Sequence, residues 1–105
     1  MATETTKYRS QSQQRILQVL MTLAGNEFNG VLPGALAQAV NTTASNITRD
    51  LANLSQAGLA EEIPDTGRWR LGPKVVQLAL AHLRHMDDVE RRHEEVKHRY
   101  SRIPS

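Results

Sequence analysis

The sequence predicts a mainly α fold, a winged helix-turn-helix of three helices and a two-stranded wing hairpin, continued by a long C-terminal helix. Three observations predict it. The stretch from Asn41 to Gly58 repeats Ile47, Leu51, Leu54 and Ala57 at helical spacing, with a polar face opposite that lacks both Lys and Glu. Directly after it, Leu59 and Ile63, then Trp69 and Leu71, alternate with polar residues on either side of Pro64-Asp65-Thr66-Gly67, which is a hairpin signal. Two shorter apolar patterns of helical period precede this unit and one long pattern follows it.

The first helix begins near Ser12, because Ser10 and Gln13 have capping-box spacing. Ile16, Val19, Leu20 and Leu23 line its inner face, and Gly25-Asn26 ends it. Phe28 to Leu32 is short and flecked with apolar residues, a candidate small strand. Pro33 suits the first turn of a second helix, where its missing N–H has no intrahelical partner. Leu36, Ala39 and Val40 are expected to bury that helix, and Asn41 to end it.

Thr42 is the expected N-cap of the third helix, its hydroxyl taking the orphan N–H of Ser45. Gly58 permits the left-handed conformation that stops this helix. A positive backbone angle is likewise expected at Gly67 in the wing turn. Gly72-Pro73 breaks the second wing strand and opens the final helix, about Lys74 to Tyr100. The chain thus divides into a flexible N-terminal arm (1–11), a winged helix-turn-helix (12–73), a C-terminal dimerisation helix (74–100) and a tail (101–105).

A chain of 105 residues supports one domain with a modest core, and its low aromatic content leaves aliphatic packing to supply the burial. There is no cysteine, hence no disulfide or thiolate metal site. The first residues, MATETTKYRSQSQQ, lack the apolar segment of a signal peptide or membrane span, so the expected location is the cytoplasm. The net charge of +2 falls on residues 71–105, leaving residues 1–70 neutral. That balance disfavours a non-specific nucleic-acid coat and leaves room for site-specific binding through few contacts.

The third helix carries the chemistry. Opposite its apolar stripe lie Ser45, Arg49, Ala52 and Gln56, flanked by Asn46 and Asn53. Short polar side chains and arginine are what a helix needs to enter a DNA major groove and hydrogen-bond base edges. Asn suits adenine and Arg suits guanine, each good pair discriminating by about 1–3 kcal/mol. In the wing, Arg68 and Arg70 stand two apart and share a face, with Trp69 pointing the other way. The two arginines are expected on phosphate or in the minor groove, with Trp69 in the core. Lys7, Tyr8 and Arg9 offer either a DNA-reaching arm or a plain frayed terminus.

Four histidines, His82, His85, His93 and His98, fall on the last helix. His82 and His85 have one-face spacing, but no third and fourth ligand follows at metal-site spacing, so no metal or other cofactor is expected. No nucleophile motif, phosphate loop or paired-carboxylate arrangement is present, which argues against an enzyme. On the same helix, Ala79, Leu83, Met86, Val89, His93, Val96 and Tyr100 step by threes and fours, close to a coiled-coil seam. Charges of both signs surround that seam, and Leu83, Met86, Val89, His93 and Val96 are the expected dimer contacts.

In order and spacing, these pieces resemble the N-terminal DNA-binding domain of the isocitrate-lyase-regulator (IclR) family of bacterial transcription factors. The resemblance runs from about Ser12 to Ala79. It rests on Arg15-Ile16-Leu17, Leu36-Ala37, Ser45-Asn46-Ile47-Thr48-Arg49 and Leu51-Ala52-Asn53-Leu54. Its strongest part is Gly58-Leu59 followed by Gly67-Arg68-Trp69-Arg70-Leu71-Gly72-Pro73-Lys74. The resemblance implies that Thr43, Ala44, Ser45, Asn46, Thr48 and Arg49 form the base- and phosphate-contacting region. The family often has a basic residue where Ala44 stands and a leucine where Asp50 stands. Both departures are expected to lower the positive potential at the helix and weaken each subunit's affinity. Family members continue into a small-molecule-binding domain; with the sequence ending at Ser105, no small-molecule effector is expected, as in a small phage-type or plasmid-type regulator.

The expected function is therefore that of a dimeric, sequence-specific double-stranded DNA-binding transcriptional regulator. Its helix at 43–57 reads the major groove and its wing at 59–71 meets the backbone or minor groove. The expected DNA contacts are Thr43, Ser45, Asn46, Thr48, Arg49, Asn53, Arg68 and Arg70. The alternative is a winged-helix protein-interaction module or adaptor, which the neutrality of residues 1–70 favours.

Overall fold

The computed structural model describes residues 7–101, and the chain forms two compact units, Met1–Val75 and Val76–Ser105. The first unit contains helices α1 (Gln11–Leu23), α2 (Pro33–Ala39) and α3 (Ala44–Gln56), then strands β1 (Ala60–Ile63) and β2 (Arg68–Leu71). Helix α4 (Pro73–Ser101) starts in this unit and supplies the described residues of the second. This is a winged helix.

Each boundary has a local cause. Ser10 caps α1 by accepting the Gln13 N–H at 3.4 Å. Pro33 occupies the first turn of α2. That helix closes in a Schellman motif, with Asn41 at φ 54°, the Asn41 N–H on Gln38 O and the Thr42 N–H on Ala37 O at 2.9 Å. Helix α3 ends in the same way. Gly58 takes φ 77°, and the Leu59 N–H reaches back to Leu54 O at 2.9 Å.

The core lies between the three short helices and the hairpin. Val19 and Leu23 of α1, Leu36 of α2, Ile47, Leu51 and Leu54 of α3, and Ala60 of β1 are buried together. Ile16, Leu20, Val31, Ala37, Val40, Leu59, Trp69 and Leu71 pack around them. Two expected core positions are corrected. Ala39 is exposed and Ala37 packs inward instead, because the short α2 turns its Leu36–Ala37–Val40 side to the core. Ala57 is exposed because it is the C-cap of α3, where the stripe has already run out.

The hairpin is antiparallel, pairing Ala60 with Leu71, Glu61 with Arg70, Glu62 with Trp69 and Ile63 with Arg68. Directly paired residues share a face. Ala60, Trp69 and Leu71 therefore stand on one side, and Arg68, Arg70, Glu61 and Ile63 on the other. Within β1 the inward apolar residue is Ala60 and Ile63 stands on the opposite face, while Leu59, just before the strand, packs against the core. The strand expected over Phe28–Leu32 contracts to one residue. Val31 and Trp69 exchange hydrogen bonds of 2.8 and 2.9 Å, while Phe28 stands free in solvent.

In the second unit, the Val76–Tyr100 stretch of α4 is a single helix whose described side chains are all exposed in the isolated chain. Among the described residues no helix is long and apolar enough to cross a membrane. Residues 1–6 of the expected arm and 102–105 of the tail lie outside the described residues. Lys7 places its Nζ 5.6 Å from the centre of the Tyr8 ring.

Candidate nucleic-acid interface

Helix α3 turns Ile47, Asp50, Leu51 and Leu54 inward and leaves Ser45, Thr48, Arg49, Ala52, Asn53 and Gln56 exposed. Its N-cap is Thr43, whose hydroxyl accepts the Asn46 N–H at 3.2 Å, and not Thr42 with Ser45 as expected. Thr42 lies one residue before the N-cap, where its own N–H completes the turn that closes α2. Its hydroxyl instead accepts from the Asn46 side-chain amide at 2.9 Å.

These bonds sort the expected contact residues by what they have left to offer. Thr43 spends a lone pair on the cap. Thr48 donates its hydroxyl proton to Ala44 O at 3.0 Å, which leaves a methyl group and acceptor lone pairs. Asn53 donates to Arg49 O at 2.8 Å, and Asn46 to Thr42, so each keeps one N–H and its carbonyl oxygen. Arg49 enters no ion pair among the described residues and keeps its full fork of donors, with Ser45 one turn before it. Of the expected contact residues on α3, Arg49 and Ser45 are the freest.

The inner side of the helix holds a feature that sequence reasoning missed. Asp50 is 4% exposed, and it receives two hydrogen bonds from Arg15 of α1, Nε to Oδ2 at 2.7 Å and Nη2 to Oδ1 at 2.9 Å. The Asp50 hydrogen bond, more than its charge alone, holds the Arg15 pKa above the ordinary arginine value. Asp50 was expected to weaken the positive potential of the reading helix. Arg15 and Asp50 cancel each other at hydrogen-bond distance, so the pair projects little net field of either sign. The signal was present in the sequence. Asp50 falls three residues after Ile47 and one before Leu51, on the apolar stripe, where an acid needs a cationic partner.

In the wing, Arg68 and Arg70 share the face opposite Trp69, in the register that was expected. They differ in freedom. Arg70 Nε donates to Glu61 Oε1 at 2.8 Å across the ladder, whereas Arg68 is exposed and enters no ion pair among the described residues. The turn that presents Arg68 is held by Thr66, which donates to Ile63 O at 2.8 Å and accepts the Arg68 N–H at 3.0 Å. Gly67 takes the expected positive φ, 70°, and Asp65 takes 65°.

In the second unit, Leu83, Met86, Val89, His93 and Val96 are all exposed along α4. His82 and His85 gain no further ligand, and no group of three or more metal-ligating side chains occurs among the described residues.

No protein-family model and no curated protein matches this chain. Solved structures do. Pseudomonas aeruginosa HmgR is similar over 74% of this chain and 33% of its own, at 28% identity and a TM-score of 0.64. An IclR transcriptional regulator from Silicibacter sp. TM1040 is similar over 68% of this chain and 28% of its own, at 21% identity and a TM-score of 0.61. The chain thus spans about a third or less of these two proteins. A Zα domain of cyprinid herpesvirus 3, described in its binding to Z-DNA, is similar over 56% of this chain and 93% of its own, at 24% identity and a TM-score of 0.51. The winged-helix fold is common to all three.

Proposed function

We propose that this chain is a sequence-specific double-stranded DNA-binding regulator of transcription that acts as a dimer. Helix α3 reads base edges in the major groove through Arg49 and Ser45, with Asn46, Thr48 and Asn53 beside them. Thr43 and Arg68 contact the backbone, and Arg70 adds a weaker contact because Glu61 already holds it. The observation that carries the reading is the composition of the exposed α3 face. It presents hydroxyls, amides and one unpaired guanidinium, and the helix's only acid is cancelled inside by Arg15. The winged-helix likeness to an IclR transcriptional regulator and to a Z-DNA-bound domain supports the same reading.

Dimerisation rests on α4. Leu83, Met86 and Val89 are about half exposed or more in the isolated chain, and fully burying each such side chain is worth about 1.5–3 kcal/mol before ordering costs. A second copy of the helix supplies that cover. Two reading helices then address two half-sites separated by about one turn of DNA or a multiple.

A second reading, a winged module that docks a protein partner, is favoured by the neutrality of residues 1–70. Selection of bound duplexes from a random pool separates the two. A DNA reader enriches a defined motif, and a protein-docking module enriches none.

A further inference from the structure

Phe28 is 97% exposed, the most exposed large apolar side chain among the described residues. Nothing in the α1–α2 connection makes this a loose loop. The Gly25 N–H donates to Glu27 Oε1 at 2.9 Å, Asn26 Nδ2 donates to Thr22 O at 3.2 Å, and the Gly30 N–H donates to Asn26 O at 2.7 Å. Gly30, at φ 71°, lies so close to the wing that a Cβ there would stand 2.7 Å from Ile63 Cδ1 and 3.1 Å from Arg68 Cβ. The loop is thus anchored to the hairpin and holds an aromatic ring out into water beside it.

Phe28, Asn29, Ile63, Thr66 and Arg68 line one open groove of about 470 Å³. It contains an aromatic ring, an amide, a hydroxyl and a guanidinium, and no carboxylate lines it. Glu27, next to Phe28, is turned back onto its own loop by the Gly25 N–H. A protein surface that offers an apolar wedge next to an unpaired cation is suited to the minor groove, where the ring enters a base step and the cation meets the adjacent phosphate.

We propose that Phe28 is a DNA wedge: carried beside Arg68, it inserts at a minor-groove step and kinks the bound duplex. The proposal rests on the DNA-binding reading above and assigns a contact outside both the reading helix and the hairpin. A pyrimidine–purine step, the easiest to unstack, is the preferred point of entry.

The test uses the full chain and a duplex enriched from the random pool, with a fluorophore at each end. Affinity is read by anisotropy, and the bend by energy transfer between the fluorophores. Phe28→Ala removes an exposed side chain, so folding is expected to be unaffected, and far-ultraviolet circular dichroism checks it. The expected result is an affinity loss of roughly 5- to 100-fold, as for removal of a stacking aromatic, with an unchanged salt slope and a straighter duplex. Phe28→Trp restores both affinity and bend. If the wild type binds the duplex and Phe28→Ala matches it in affinity and bend, the wedge is overturned while the DNA-binding reading stands. If the wild type itself binds no duplex, that reading falls and takes the wedge with it.

Discussion

Gly30→Ala tests whether the wing is seated on the helical body as the structure has it. The glycine sits at φ 71°, where an L side chain costs about 1–2 kcal/mol. Its new Cβ would also meet Ile63 Cδ1 at 2.7 Å and the Trp69 carbonyl oxygen at 2.9 Å. Ile63 can yield, but Trp69 O is backbone and accepts the Val31 N–H at 2.8 Å, so the strand must shift. Overpacking of that kind costs about 1–3 kcal/mol. Reduced freedom of the unfolded chain returns about 0.4–1 kcal/mol. The net loss is roughly 1–5 kcal/mol, against a stability of roughly 4–11 kcal/mol for a unit of this size. Gly67→Ala is the control, since it shares the backbone strain at φ 70° but has nothing within 4 Å of its Cβ. Urea unfolding, followed by the fluorescence of the only tryptophan, Trp69, measures both variants. Gly30→Ala should be the less stable by about 1–3 kcal/mol, the overpacking contribution alone. Equal stabilities for the two variants would refute the close approach of Gly30 to the wing.

Three further predictions concern the ion pair, the dimer and acid. Arg15→Met should lower the melting temperature by several degrees, because it strands the buried Asp50 carboxylate, whereas Arg15→Met combined with Asp50→Leu should recover most of the loss; thermal melts check the order. Leu83→Glu with Val89→Glu should convert a dimer into a folded monomer with much weaker DNA binding; the mass in solution at micromolar concentration checks it, and a wild-type monomer there would rule out the α4 interface. The Gly25 N–H, and then Glu27's own N–H, hold the Glu27 carboxyl below its ordinary pKa. The carboxylate therefore favours the folded state above the ordinary glutamate range, and this contribution fades as pH falls through the depressed value. Glu27→Gln should flatten the acid limb of stability slightly, as read by melts between pH 3 and 7.

The architecture was legible because each boundary carried its own chemistry. Ser10 capped α1, Pro33 opened α2, Gly58 closed α3, and Gly67 shaped the wing turn, all through local backbone demands that few residue types satisfy. What failed depended on neighbours distant in sequence. Thr42 is as good a cap as Thr43 by residue type, and only the closing turn of α2 decides between them. The acid at Asp50 was visible on an apolar stripe, but its partner Arg15 lies 35 residues away, brought there by the packing of α1 on α3. Phe28 was absorbed into a strand pattern because hydropathy cannot show that Gly30 halts the ladder at Val31. On the candidate face, the sequence identified which side chains point outward. It did not show that Thr48 and Asn53 already spend donors on their own helix, that Asn46 spends one on Thr42, or that Glu61 holds Arg70.

The central claim is that α3 reads bases while the wing holds the backbone, and the affinity ratio between the enriched duplex and a scrambled one tests it most directly. The account predicts that Arg49→Ala lowers this ratio by an amount equivalent to about 1–3 kcal/mol. Arg68→Ala should weaken binding to both duplexes alike and reduce the salt slope by about 0.9, the share of one phosphate contact. An Arg49→Ala variant that keeps the wild-type ratio would contradict the account.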